Sequence, residues 1–221
     1  MEMLVVLGII VVLATIGVRI TMRVDTQSKE NALRETFALL SSALEQFHDY
    51  GYAYAPTWGY AGAGFDFPPD CDGFLVLHLQ ATLQATLGAE SVQITNHVKG
   101  TVSEYVEYSG AEALYFFLSR VPPVAQVLKG LSPAMVTNQN GEGRPIEISV
   151  NGALPEPFPR VIDPWGTTLR YDYYDVQPAT GTPTAIPPMP IPATRRNFPV
   201  LTSAGPDRRF GTADDIDSRG R

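Results

Sequence analysis

Cysteine occurs once, at Cys71, so neither an intrachain disulfide nor a cysteine metal cluster is possible within the chain. Cys71 reads as a small loop residue, or as a redox or intermolecular contact. Cations are also scarce. Sixteen Lys and Arg face 23 Asp and Glu, a net charge of −7 and a pI near 4.9. An acidic chain gains nothing from the field of a nucleic acid, so no nucleic-acid partner is expected. No G-x-S-x-G, H-E-x-x-H, C-x-x-C or P-loop pattern occurs. His48, His78 and His97 have no partner at a recognisable spacing, and Glu104 and Glu107 read as one solvated helix face. No enzymatic activity is expected. No internal repeat is present. No proline precedes Pro56, and no Lys or Arg precedes Arg19. A secretory signal peptide needs a basic start and a small-residue cleavage site, and neither is found.

Against these absences stands one long apolar run, Met3 to Val18, with Glu2 in front of it. The run continues without a break into "RITMRVDTQSKENALRETFALLSSALEQFHDY". There Leu33, Phe37, Leu40, Leu44 and Phe47 recur at steps of four and three, one face of a helix. Gly51 is the expected stop. Residues 2 to about 50 therefore form one helix of roughly 70 Å, at about 1.5 Å per residue. Its apolar part covers about 24 Å, short of a hydrocarbon core of about 30 Å, unless Arg19 and Arg23 snorkel. Glu2 has two readings. A carboxylate in a first helical turn interacts well with the helix dipole. Alternatively it enters an apolar assembly, pairs with a cation and fixes the register between subunits.

Residues 51–73 are a loop by composition, packed by Trp58, Tyr60 and Phe65. Helices are expected at 74–87 with Gly88 as stop, and from Ser109, where Ser109 and Glu112 fit a capping box, to Pro122. A short helix follows through "VAQVLKGL". Alternation marks strands at 146–150, 167–176 and 197–203. Prolines crowd Pro178 to Pro192 and make an extended connection between the last two strands. "DPWG" at 163–166 reads as a tight turn with Trp165 as a core anchor. The class is α+β. The first helix is expected to lay its amphipathic face on a small C-terminal antiparallel sheet, with extra helices in the middle. The division is 1–50 for the long helix, 51–159 for a helical and loop insertion, and 160–221 for the sheet and an acidic loop.

That loop is "LTSAGPDRRFGTADDID", which gathers Asp207, Asp214, Asp215 and Asp217. Hard oxygens on a flexible loop suit Ca²⁺, although the spacing is not that of an EF-hand. On spacing alone, a solvated acidic loop with Arg208 and Arg209 as counter-charges is the favoured reading.

Glu2, Met3, Leu4, Val5, Val6, Ile9 and Ile10 resemble the E-x-L-V-V-x-x-I-I start of type IV pilins and type II secretion pseudopilins. "DPWG" before a strand, followed by S-x-G-x-D and an acidic "DD-I", is similar to the C-terminal region of major pseudopilins. The resemblance covers residues 1–56 and about 160–217. It implies a pilin-like fold and a structural subunit that polymerises through its apolar helix to drive protein export. A type IV pilus subunit is the neighbouring alternative, and a monomeric single-pass protein with a binding ectodomain the distant one. It further implies Glu2 as the subunit-assembly residue, paired with a terminal amine of a neighbour. A calcium site is implied at the carbonyls of Leu201 and Ser203 and the side chains of Asp207, Asp214 and Asp215. Arg208 stands where many members carry glycine. The implied partners are other pilin-like subunits, in a homo- or hetero-polymer, and an inner-membrane assembly platform. A prepilin peptidase joins them where a leader lies upstream, leaving a methylated N-terminus. The implied location is the bacterial inner membrane before assembly, with the head periplasmic or extracellular, and the filament afterwards.

Overall fold

In the computed structural model the proline-free start is a single helix, α1 (Glu2–Tyr54), 53 residues and about 80 Å long at about 1.5 Å per residue. The structure describes residues 2–54, 67–68, 79–80, 83–84, 87–97, 102–174 and 195–220. Side chains are described within these except at 2–23, 51–54, 102–107, 173–174 and 195–197. The foreseen stripe is the buried face of α1. Leu33, Leu40 and Leu44 are fully buried, and Phe37 and Phe47 are nearly so. Burying each such side chain contributes about 1.5–3 kcal/mol. Thr36 lies on the same face and donates its hydroxyl to the Ala32 carbonyl at 2.9 Å, which removes the polar cost of its burial. The helix runs past Gly51. A glycine inside a helix costs only about 1 kcal/mol, whereas Pro56 restricts the residue before it, so the end at Tyr54 fits the proline better than the glycine.

The second helix, α2 (Val102–Ser119), begins well before Ser109. The capping-box expectation is therefore corrected: Ser109 and Glu112 lie inside the helix and are fully buried. A Ser-x-x-Glu pattern stabilises a helix start only by local hydrogen bonds, and here Glu112 is claimed by tertiary partners. Pro122 does not end α2 either. It opens the next helix, α3 (Pro122–Leu128), at the position where a missing N–H costs nothing. Residues 79–80, 83–84 and 87 are helical, within the expected 74–87 span, and Leu79 and Leu83 are fully buried.

The strands form three small antiparallel sheets. β1 (Val92–Thr95), β3 (Glu147–Val150) and β4 (Glu156–Pro157) pair in the order β1-β3-β4. β2 (Val136–Thr137) pairs with β5 (Arg160–Val161), and β6 (Arg170–Tyr174), β7 (Arg195–Ser203) and β8 (Ile216–Asp217) make the C-terminal sheet. Central strand β7 contains Pro199, which has no N–H to give. The β6–β7 register is regular from Arg170↔Thr202 to Asp172↔Val200 and shifts beyond it, so the proline falls in the irregular stretch. The α+β class holds. Among the described elements, α1 packs most extensively on α3. A cleft of about 630 Å³ separates α1 (Arg34, Ser41) from the chain end (Pro206, Asp214, Asp217, Arg219). One apolar core joins α1, α2, α3 and the sheets, with Phe117, Phe158, Tyr171 and Leu201 at its centre. Trp165 is half-buried against that core.

Candidate functional site

The acidic loop is built outward from β7. "DPWG" forms the foreseen turn, with Gly166 N–H donating to the Asp163 carbonyl at 3.0 Å. Asp163 is 1 % exposed. Its Oδ1 accepts the N–H groups of Trp165 at 3.0 Å and Thr167 at 2.8 Å. Its Oδ2 accepts the Ser203 hydroxyl at 2.7 Å, from the last residue of β7. Burial pushes the Asp163 carboxyl above its ordinary range, opposed by the Ser203 hydroxyl and these backbone N–H groups.

Past Ser203 the chain turns at Gly205, whose φ is +66° and whose N–H donates to Ser203 Oγ at 3.1 Å. A Cβ built on Gly205 would stand 2.2 Å from the Asp214 carbonyl oxygen. The two ends of the loop therefore touch backbone to backbone, and only a glycine fits between them. The loop is then held by its own carboxylates. Asp214 Oδ2 accepts Asp207 N–H at 3.0 Å, and Asp214 Oδ1 accepts the Thr212 hydroxyl at 2.5 Å. These bonds hold the Asp214 carboxyl below its ordinary range, the Thr212 hydroxyl contributing most. Asp207 Oδ1 accepts Arg209 N–H at 2.8 Å, and Asp215 Oδ2 accepts Gly211 N–H at 2.7 Å. Arg208 takes a φ of 60°, the left-handed region that a glycine at this point would adopt freely.

The expected ligand set is thus partly gathered. Asp207, Asp214 and Asp215 share one loop, and β7 delivers Leu201 and Ser203 to its base. Leu201 C=O already accepts Ser218 N–H at 2.8 Å, which leaves it one lone pair. Among the described residues, no group of three or more His, Cys, Asp or Glu side chains converges on a point where an ion would sit. The carboxylates turn onto backbone N–H groups instead. One oxygen fits a hard cation: Asp215 Oδ1 is buried with no hydrogen-bond partner. Asp217 is in β8, opposite Thr202, and accepts Arg219 N–H at 2.9 Å.

Glu2, the expected assembly residue, is the first residue of α1; its side chain lies outside those described. Among the described residues no helix is long and apolar enough to cross a membrane. The side chains of the apolar run at 3–18 lie outside those described. Cys71, His78 and the proline-rich 178–192 stretch also lie outside the described residues.

A second polar constellation escaped the sequence pattern. His97 Nε2 lies 2.6 Å from Glu112 Oε2, both side chains being essentially buried. Arg160 approaches the other carboxylate oxygen at 3.9 Å and sits 3.7 Å over the ring of Tyr108. Its remaining donors reach Thr168 Oγ1 at 3.0 Å and the Gln139 carbonyl at 2.8 Å. Desolvation lowers the Arg160 pKa, with the Glu112 charge opposing. All three side chains are buried, and the cluster ties α2 to β5 and to the segment that carries His97. Scanned against protein-family models, curated proteins and solved structures, the chain matches none.

Proposed function

We propose that this chain is a structural subunit of a pilus-like filament, most specifically a type II secretion pseudopilin, with no catalytic centre. One observation carries the reading: a single 53-residue helix starts at Glu2, and the head contacts described along it centre on the stripe from Leu33 to Phe47, with His48 against Phe67 just beyond it. The apolar run at 3–18 makes up the first third of that helix. An apolar helix segment needs a lipid or protein partner. A bilayer supplies it before assembly and the helices of other subunits after it. Glu2, at the mouth of the apolar run, is the residue proposed to fix the register between subunits. The pilin-like fold, with the helix as spine and the insertion enlarging the head, belongs to the same proposal.

Assembly is tested with Glu2→Ala in the native organism or a reconstituted secretion system. The expected outcome is a folded membrane protein that no longer enters sheared filaments. Normal filaments from this variant would count against Glu2 as the assembly residue, and a wild-type chain found only in membranes would favour the monomeric single-pass reading instead.

We also propose that the acidic loop binds Ca²⁺ through Asp207, Asp214 and Asp215 with the carbonyls of Leu201 and Ser203. The support is the all-oxygen donor set and the orphaned, buried Asp215 Oδ1. A bound cation would neutralise carboxylates that otherwise repel across the loop. For the full chain in detergent, Ca²⁺ at a hundred times Kd should stabilise the fold by about 2.7 kcal/mol, and chelation should remove that gain. The double variant Asp214→Ala, Asp215→Ala should be indifferent to chelator. A wild-type chain equally indifferent ends the calcium reading.

A further inference from the structure

The "DPWG" turn needs only one oxygen of Asp163. Oδ1 accepts the backbone N–H groups of Trp165 and Thr167. The second oxygen is superfluous to the turn, and burying it there carries a desolvation cost. It is spent on Ser203, forty residues along the chain, which is itself fully buried. Ser203 Oγ donates to Asp163 and accepts from Gly205 N–H. Gly205 has no clearance to the Asp214 carbonyl, so a displacement at 205 must be transmitted to 214. Asp214 in turn holds Asp207 N–H. An unbroken sequence of contacts thus runs from the turn to two of the three carboxylates of the loop.

We propose that Asp163 is the positioning residue of the acidic loop: acting through the Ser203 hydroxyl, it sets where Asp207 and Asp214 stand, although it is not itself a ligand. The consequence for metal binding rests on the cation reading above; the consequence for loop geometry does not. Removing the Ser203 hydroxyl leaves the Ser203 carbonyl, the proposed ligand, in place, so Ser203→Ala separates positioning from ligation. Groups that orient a metal ligand without touching the metal typically control affinity by about 10–100-fold.

The test uses the full chain in detergent micelles and two readouts. Tb³⁺ luminescence, displaced by Ca²⁺, gives affinity. Amide hydrogen exchange of the metal-free chain gives the order of residues 205–215. Ser203→Ala should weaken Ca²⁺ about tenfold or more. It should also speed exchange at Gly205, Asp207 and Gly211, and leave β1 and β3 unchanged. Ser203→Thr, which keeps a hydroxyl, should restore both. Asp163→Asn keeps an acceptor for the turn but reverses the hydrogen bond to Ser203, and it should lie between. If Ser203→Ala fails to fold, Asp163→Asn and Ser203→Thr give the same two readouts. Wild-type affinity in a variant with only a lowered melting temperature would make the contact merely structural and overturn the proposal. A wild-type chain that binds no Tb³⁺ ends the cation reading alone. In that case unchanged exchange at 205–211 in Ser203→Ala would overturn the positioning proposal, and faster exchange would sustain it.

Discussion

Gly205→Ala is the substitution with the largest consequence that the loop geometry dictates. Two costs add. Alanine at a φ of +66° is held in the left-handed region, for about 1–2 kcal/mol. Its Cβ would also lie 2.2 Å from the Asp214 carbonyl oxygen, which is backbone and cannot swing aside as a side-chain tip would. Relieving such an overlap moves chain, at about 1–3 kcal/mol for a packed site. The expected loss is therefore about 2–5 kcal/mol, out of a total of about 5–15 for an ordinary domain. Gly211→Ala supplies the internal control. It too has a positive φ, +86°, but a Cβ there meets nothing within 4 Å. It should cost only the conformational part, about 1–2 kcal/mol. Urea unfolding of the full chain in detergent, followed by tryptophan fluorescence, compares the two. The half-buried Trp165 reports from the turn that carries Asp163. Equal losses in the two variants would refute the close approach of 205 to 214, and the transmission argued through it with it.

Two further outcomes follow from the buried groups. The Asp163 carboxyl sits above its ordinary range, chiefly through desolvation, so the fold favours its protonated form. Its contribution is present below the ordinary carboxylate range and is lost as pH rises through the raised value. Stability measured against pH should fall across that window in wild type, and the fall should be absent from Asp163→Asn; identical profiles would contradict the assignment. Glu112→Ala should destabilise by about 3–5 kcal/mol, because it strands the buried Arg160. The Tyr108 face and the Gln139 carbonyl soften that cost toward the lower figure, and Glu112→Gln should recover part of it in denaturant titrations.

What was legible in the chain follows from where the information lies. The α1 stripe at 33, 37, 40, 44 and 47 is a periodic signal over many turns, and all five residues are buried as read. "DPWG" carries its turn in its own four residues. Strands β3, β6 and β7 alternate over enough length to be seen. β2, β4, β5 and β8 are two residues each and have no period to read. The acidic loop was visible as composition, but not the way its carboxylates close onto backbone N–H groups, since that depends on Gly205 meeting Asp214. Asp163 was legible as a turn residue and not as a clamp, because Ser203 lies forty residues away. Ser109 and Glu112 misled because a motif spaced for a helix start also fits a helix interior. His97, Glu112 and Arg160 share no motif at all; only the docking of α2 brings them together.

That docking bears on how the head folds. His97, Glu112 and Arg160 come from three separate segments, and their mutual attraction is realised only when all three are in place. Glu112 or Arg160 buried without the other leaves a charge short of partners in a medium that solvates it poorly. A nucleus built on such a cluster would carry its cost before its gain. The apolar contacts of α1 with α2 and α3 have no such requirement and can form piecemeal. The cluster is then expected to close after the rate-limiting step, so that substitutions in it change the unfolding rate while leaving the folding rate nearly untouched. The buried cluster then acts as a bolt on the way out of the fold rather than a guide on the way in.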